Sequence, residues 1–153
     1  MPLPVAVTKS STHPYSMAKY SVKKMNAILA TCNDGSLTNQ VRGAAFEELA
    51  CYIFETVPGV SITETDEMNV FNNEEIDVAI WDDKARNGFP FLPNIVLIEC
   101  KNWTAPVSSN EVSWFANKLM SRGMDFGILL ANNGITGDPQ QLTASHHTIA
   151  MQL

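Results

Sequence analysis

The chain predicts an α/β fold, a mixed sheet flanked by helices, and three features of the sequence carry that prediction. The apolar run Ile95-Val96-Leu97-Ile98 and the stretch Phe126-Gly127-Ile128-Leu129-Leu130-Ala131 enclose a helix-patterned segment, the strand–helix–strand order of a parallel crossover. Upstream, three strand-like stretches between Val60 and Lys101 follow one another across turn-rich loops, as in an antiparallel meander. Two helix-patterned segments precede them. A length of 153 residues is enough for one domain and hardly two.

Residues 1–15 hold three prolines and several Ser and Thr, and read as a flexible leader. Met17 to Cys32 reads as a helix, with Met17, Tyr20, Ile28 and Leu29 near helical spacing and Gly35 as a stop. A second helix runs from Gln40 to Thr56, closed by Pro58-Gly59. Val60-Ser61-Ile62-Thr63 alternates like a strand, and Asn72-Asn73 marks a turn before the strand Glu75 to Trp81. Asp82 to Pro93 is a polar loop, and Ile95 to Lys101 the next strand. Ser108 and Glu111 have capping-box spacing, which predicts a helix over Asn110 to Arg122 with Gly123 as its stop. After the strand 126–131, Gly134 and Gly137 make a turn. Asp138 then caps a last helix, with Pro139 in its first position and Gln141 in the capping-box place. The order is α-α-β-β-β-α-β-α with no internal repeat. It divides into an N-terminal leader and helix over 1–40 and the main domain over 41–153.

Hydrophobic residues make up 45% of the chain and charged residues 17%, a globular balance. No apolar run approaches the ~20 residues of a membrane helix, and no basic-then-apolar signal pattern opens the chain. Cys32, Cys51 and Cys100 lack metal spacing and read as reduced thiols of a cytoplasmic protein. The net charge of −6 argues against avid binding of nucleic acid through phosphate neutralisation. It does not exclude chemistry on phosphates, because bound divalent cations would add about +2 to +4 where a phosphate must sit.

Glu99-Cys100-Lys101 ends the apolar run at Ile98, and buried ionisable groups are costly unless they pair or hold a metal. Alternation puts Glu99 and Lys101 on one face of the strand and Cys100 on the other. If Asp77, within Glu75-Ile76-Asp77-Val78, lies on the neighbouring strand, two carboxylates and a lysine share one patch. Such a patch suits a magnesium-dependent phosphodiesterase, with oxygen ligands for a hard cation and an ammonium near water or phosphate. A structural ion pair at a sheet end is the plainer alternative, but an acid pair beside one lysine leaves negative charge for a cation to neutralise.

Glu47 and Glu48 cannot both face the core, and Glu47 is the candidate for the site. Glu75 shares a face with Asp77 and is otherwise a strand-edge charge. Asn102 could contact nucleic acid, whereas Trp103 is expected to pack at the sheet edge, and Trp114 and Phe115 to lie in the core. Lys19, Lys23 and Lys24 are candidates for backbone contacts, against the plainer reading of a solvated helix face. His146-His147 diverge on a helix and make a poor metal pair. No phosphate loop, nucleophile elbow or zinc motif is present, and no regularly spaced aromatics mark a stacking platform.

A helix with Gly43-x-x-Phe46-Glu47, then Ile76-Asp77-Val78, then Ile98-Glu99-Cys100-Lys101-Asn102-Trp103 resembles the PD-(D/E)XK nuclease superfamily. Within it, the chain is similar to the Mrr-type restriction endonuclease catalytic domain and to Holliday-junction resolvases, over about residues 41–150. The resemblance implies a restriction-endonuclease-like α-β-β-β-α-β core. It implies that Asp77 and Glu99 bind Mg²⁺, with Mn²⁺ able to substitute, and that Lys101 is catalytic. The Cys100 backbone carbonyl would be a further metal ligand, and Glu47 would reach the metal through water. DNA is the implied substrate, cut by a homodimer or with a separate recognition subunit or domain. Ile76 stands where the motif's name has proline. The chain stops where relatives add a strand and helix, so a minimal or truncated form without an appended recognition domain is expected. Two alternatives stay open: a catalytically silent nuclease fold acting in binding or assembly, and a nuclease acting on RNA or single strands.

Overall fold

A computed structural model of the chain describes residues 20–68 and 75–151. The element order is α1 (Val22–Asn33), α2 (Asn39–Glu55), β1 (Val60–Met68), β2 (Glu75–Asp82), β3 (Ile95–Lys101), α3 (Ser109–Ser121), β4 (Gly127–Ala131) and α4 (Ala144–Met151). This is the predicted order. The leader and Asn72-Asn73 lie outside the described residues.

The four strands form one mixed sheet in the order β1-β2-β3-β4. β1 and β3 both run antiparallel to β2, and β4 runs parallel to β3, so the meander and the crossover meet at β3. Helix α2 covers one face, packing Ala50, Cys51 and Phe54 on Val78, Ile80, Val96 and Ile98. Helix α1 lies on α2 through Ile28, Cys32, Phe46 and Leu49, and Cys100 and Leu130 join this cluster from the sheet. Helix α3 covers the other face. It approaches β4 closely at Gly127, where a Cβ would stand 2.7 Å from the Leu119 methyls and 2.9 Å from the Phe115 ring, so these side-chain ends pack on bare backbone.

The helix starts differ from expectation at α1 and α4, and at α3 only the cap bond does. Ser21 caps α1, its hydroxyl accepting from the Lys24 N–H, so α1 begins at Val22; Met17 lies outside the described residues. Ser108 is the N-cap of α3 but makes no side-chain cap bond, so the Ser108–Glu111 box does not close. Asp138 does cap a turn, accepting from the N–H groups of Gln140 and Gln141. That turn breaks at Leu142 and Ala144, which have positive φ (50° and 48°), and α4 starts only at Ala144.

Candidate active site

The site begins where the β2–β3 ladder ends. The last paired residues are Val78 and Ile98, yet β2 continues beside β1 through Ile76 and Glu75. Beyond Ile98, β3 therefore faces a gap on its β2 side, and its backbone needs other partners there. Asp77 supplies one: its Oδ2 accepts the Cys100 N–H at 2.7 Å. The N–H and C=O of one strand residue point the same way, so the Cys100 carbonyl opens toward the same gap. The Lys101 carbonyl points the other way and accepts from the Asn132 N–H after β4.

Continuing the register from Val78–Ile98 puts Asp77 beside Glu99, on the sheet face that α3 covers. Glu99 is only 3% exposed. Its Oε1 meets the Lys101 ammonium at 2.7 Å and its Oε2 meets Lys118 of α3 at 2.7 Å. Lys118, equally buried, also donates to the Glu75 carbonyl at 2.6 Å and so bridges β2 and β3 across the gap. Lys101 has a second acid within reach, Glu111 at 3.9 Å. The unclosed capping box leaves Glu111 for this role.

The charges sort by surroundings. Burial pushes the Asp77 carboxyl above the usual aspartate range, opposed by the Cys100 N–H, with Glu99 adding to the rise and both lysines resisting it. Burial pulls Lys101 down, but its bond to Glu99 and the charges of Glu99, Asp77 and Glu111 outweigh that and raise it. The Cys100 thiol lies on the core side, pushed far up by burial, and is no nucleophile.

An open cleft of about 300 Å³ faces this sheet end. Asp77, Cys100 and Lys101 line it from the strands, and Glu47 lines it from α2, whereas Glu48 is exposed. Glu75 is exposed, and its backbone carbonyl is held by Lys118. Asn102 also lines the cleft, but its amide is engaged. Its Nδ2 donates to the carbonyls of Cys32 and Arg42, and its Oδ1 accepts from Asn132. Lys23 and Lys24 are exposed on α1, with Lys24 over the Tyr52 ring; Lys19 is outside the described residues. Phe115 is core as expected, but Trp114 and Trp103 are each 42% exposed.

Lys118 escaped the sequence reading. Glu111, Phe115 and Lys118 follow helical spacing, so Lys118 shares the Phe115 face that packs on the sheet. A lysine on the apolar face of the helix after a Glu-x-Lys strand is the signal that would have found it.

Asp77, Glu47 and the Cys100 carbonyl are oxygen donors of the kind Mg²⁺ takes, and Asp77 is a desolvated acid that a cation would relieve. Among the described residues no three His, Cys, Asp or Glu side chains form a ready-made cage. Each Glu99 oxygen already accepts from a lysine, so Glu99 would join such a set through a remaining lone pair or by releasing Lys101.

No helix among the described residues is long and apolar enough to cross a membrane. No curated protein and no solved structure matches the chain. The family model for the Mrr catalytic domain, described as a restriction endonuclease, matches residues 38–152. It begins at the Thr38 cap of α2 and takes in every strand and the whole cleft wall, so the chain belongs to the Mrr-type restriction endonuclease family of PD-(D/E)XK nucleases.

Proposed function

We propose that this domain hydrolyses DNA phosphodiester bonds with Mg²⁺ or Mn²⁺ as cofactor. The observation that carries the reading is the open end of the β2–β3 ladder. There Asp77, the Cys100 carbonyl and Lys101 face one cleft with Glu47 opposite. Asp77 and Glu47 would hold the cation, joined by Glu99 once it releases Lys101. Bound there, the cation would polarise the phosphate and lower the pKa of water. Lys101 carries no lone pair while protonated, so its part is to donate to the attacking water or to a phosphate oxygen. Glu111, 3.9 Å from the Lys101 ammonium, would steady it were Glu99 to serve the cation. Asp77 is held for its task by the Cys100 N–H, and Lys118 keeps Glu99 in place from behind. Cutting both strands of a duplex needs two such sites, so a homodimer, or a separate recognition subunit, belongs to the same proposal.

One observation favours the silent-domain alternative: both Glu99 oxygens are already engaged by lysines. The test is incubation of wild type and Asp77→Asn with supercoiled, linear and branched DNA, in Mg²⁺, Mn²⁺ or EDTA. Wild type should cut with either metal, EDTA should stop it, and Asp77→Asn should be inert. No cleavage of any form, together with no cation binding by calorimetry, makes this a binding or assembly domain. Cleavage of RNA in preference to DNA moves the reading to the RNA nuclease.

A further inference from the structure

Trp103 follows β3 and Trp114 lies on α3, yet their ring centroids are 5.5 and 5.6 Å from the same Lys101 ammonium. The Lys118 ammonium adds a closer contact to Trp114, 4.2 Å from its centroid. Each indole is thus oriented by a buried or half-buried lysine, and each remains 42% exposed. Two indoles held around one lysine each keep a wet side that a flat ring can cover. Trp103 is also part of the cleft wall.

The charge of the cleft points the same way. Its lining holds two cations, Arg42 and Lys101, against two acids, Glu47 and Asp77, in a chain of net charge −6. Phosphate attraction alone gives such a site little hold on a DNA backbone. Stacking on aromatic rings supplies affinity without net charge, and it needs a base whose face is free. In a paired duplex both faces are covered by neighbouring bases.

We infer that Trp103 and Trp114 form a stacking platform beside Lys101 that takes an unpaired DNA base next to the scissile phosphate. Branched, bulged or single-stranded DNA is then the preferred substrate. This rests on the DNA-nuclease reading and names its substrate class.

The test is anisotropy of dye-labelled DNA in EDTA, which separates binding from cleavage. The probes are a fully paired duplex, the same duplex with a bulge, and the bare strand. Wild type should prefer the bulged and bare forms by about 5- to 150-fold, the equivalent of one stacked base. Trp103→Ala and Trp114→Ala should each lose most of that preference, and Trp103→Phe should keep most of it. Equal binding of all three forms by wild type, or an undiminished preference in the alanine variants, overturns the inference. Trp114→Ala risks misfolding because its ring covers Lys118, so tryptophan fluorescence in a Trp81→Phe background gives a second readout. The bare strand should quench it and the duplex should not; no quenching by the strand overturns the platform. A bare RNA strand bound more tightly than the DNA strand overturns the choice of DNA. Cleavage of duplex with equal binding of all forms sinks the platform and spares the nuclease. Selective binding with no cleavage does the reverse.

Discussion

Strands β2 and β3 contain two halves built on opposite rules. From Val78 to Trp81 they pair residue for residue with Ile98 to Ile95, and Val78, Ile80, Val96 and Ile98 are nearly inaccessible to water. From Glu75 to Asp77 they stop pairing with Glu99 to Lys101, and that half is ionic. The paired half satisfies its backbone with backbone, so its side chains need only be apolar and well packed. The open half leaves backbone groups over. Side chains fill their places: Asp77 takes the Cys100 N–H and Lys118 takes the Glu75 carbonyl. Reactive groups gather in the second half because only there do charges have both a partner and a route to solvent.

Within the open half the two acids differ. Glu99 is enclosed by two ammonium groups, whereas Asp77 has one backbone bond and a cleft. Exchanging each for its amide should separate structure from chemistry. Glu99→Gln leaves Lys118 buried beside a neutral group, and removing one partner of a buried ion pair typically costs about 3–5 kcal/mol. Urea unfolding should show a loss of that size; a loss under about 1 kcal/mol would mean that Glu99 is not integral to the fold.

Lys101→Ala should act on rate instead. Glu99 keeps Lys118, so the fold survives, while cleavage at saturating Mg²⁺ should fall about 10²–10³-fold, as when one preorganised donor is lost. Equal cleavage by the variant would make Lys101 structural and overturn its assigned role.

Asp77→Asn should show the smallest stability change. Its folded pKa is raised, so its contribution to stability is fully present below the unfolded aspartate pKa and is lost as pH rises through the folded value. At neutral pH the charge works against the fold, and asparagine still accepts the Cys100 N–H. The variant should therefore unfold within about 1 kcal/mol of wild type at pH 7, or above it. A large loss there would make Asp77 a structural acid like Glu99.

The paired half was legible in the sequence because an apolar run bounded by turn signals has few other uses. Ile95 to Lys101 forms β3 over those very residues. Asp77, Glu99 and Lys101 were legible because alternation and a two-strand register suffice to bring them to one sheet end. What the sequence hid depends on a third element. Lys118 acquires its role only when α3 lies across the gap, and Trp103 and Trp114 come together only around Lys101. Glu111 has the spacing of a cap, but the nearby Lys101 charge offers it another partner. The break at Leu142 rests on positive φ in a residue that rarely adopts it, which no local pattern announces.

Asn102 has a mechanical consequence. One side-chain amide joins the last turn of α1 at Cys32, the first turns of α2 at Arg42 and the residue after β4 at Asn132, and it sits next to Lys101. Helix α1 precedes the matched family segment, yet it meets the active strand through this amide as well as through the packing of Cys100 in the α1–α2 cluster. The place of α1 and the alignment of Lys101 are thereby tied together.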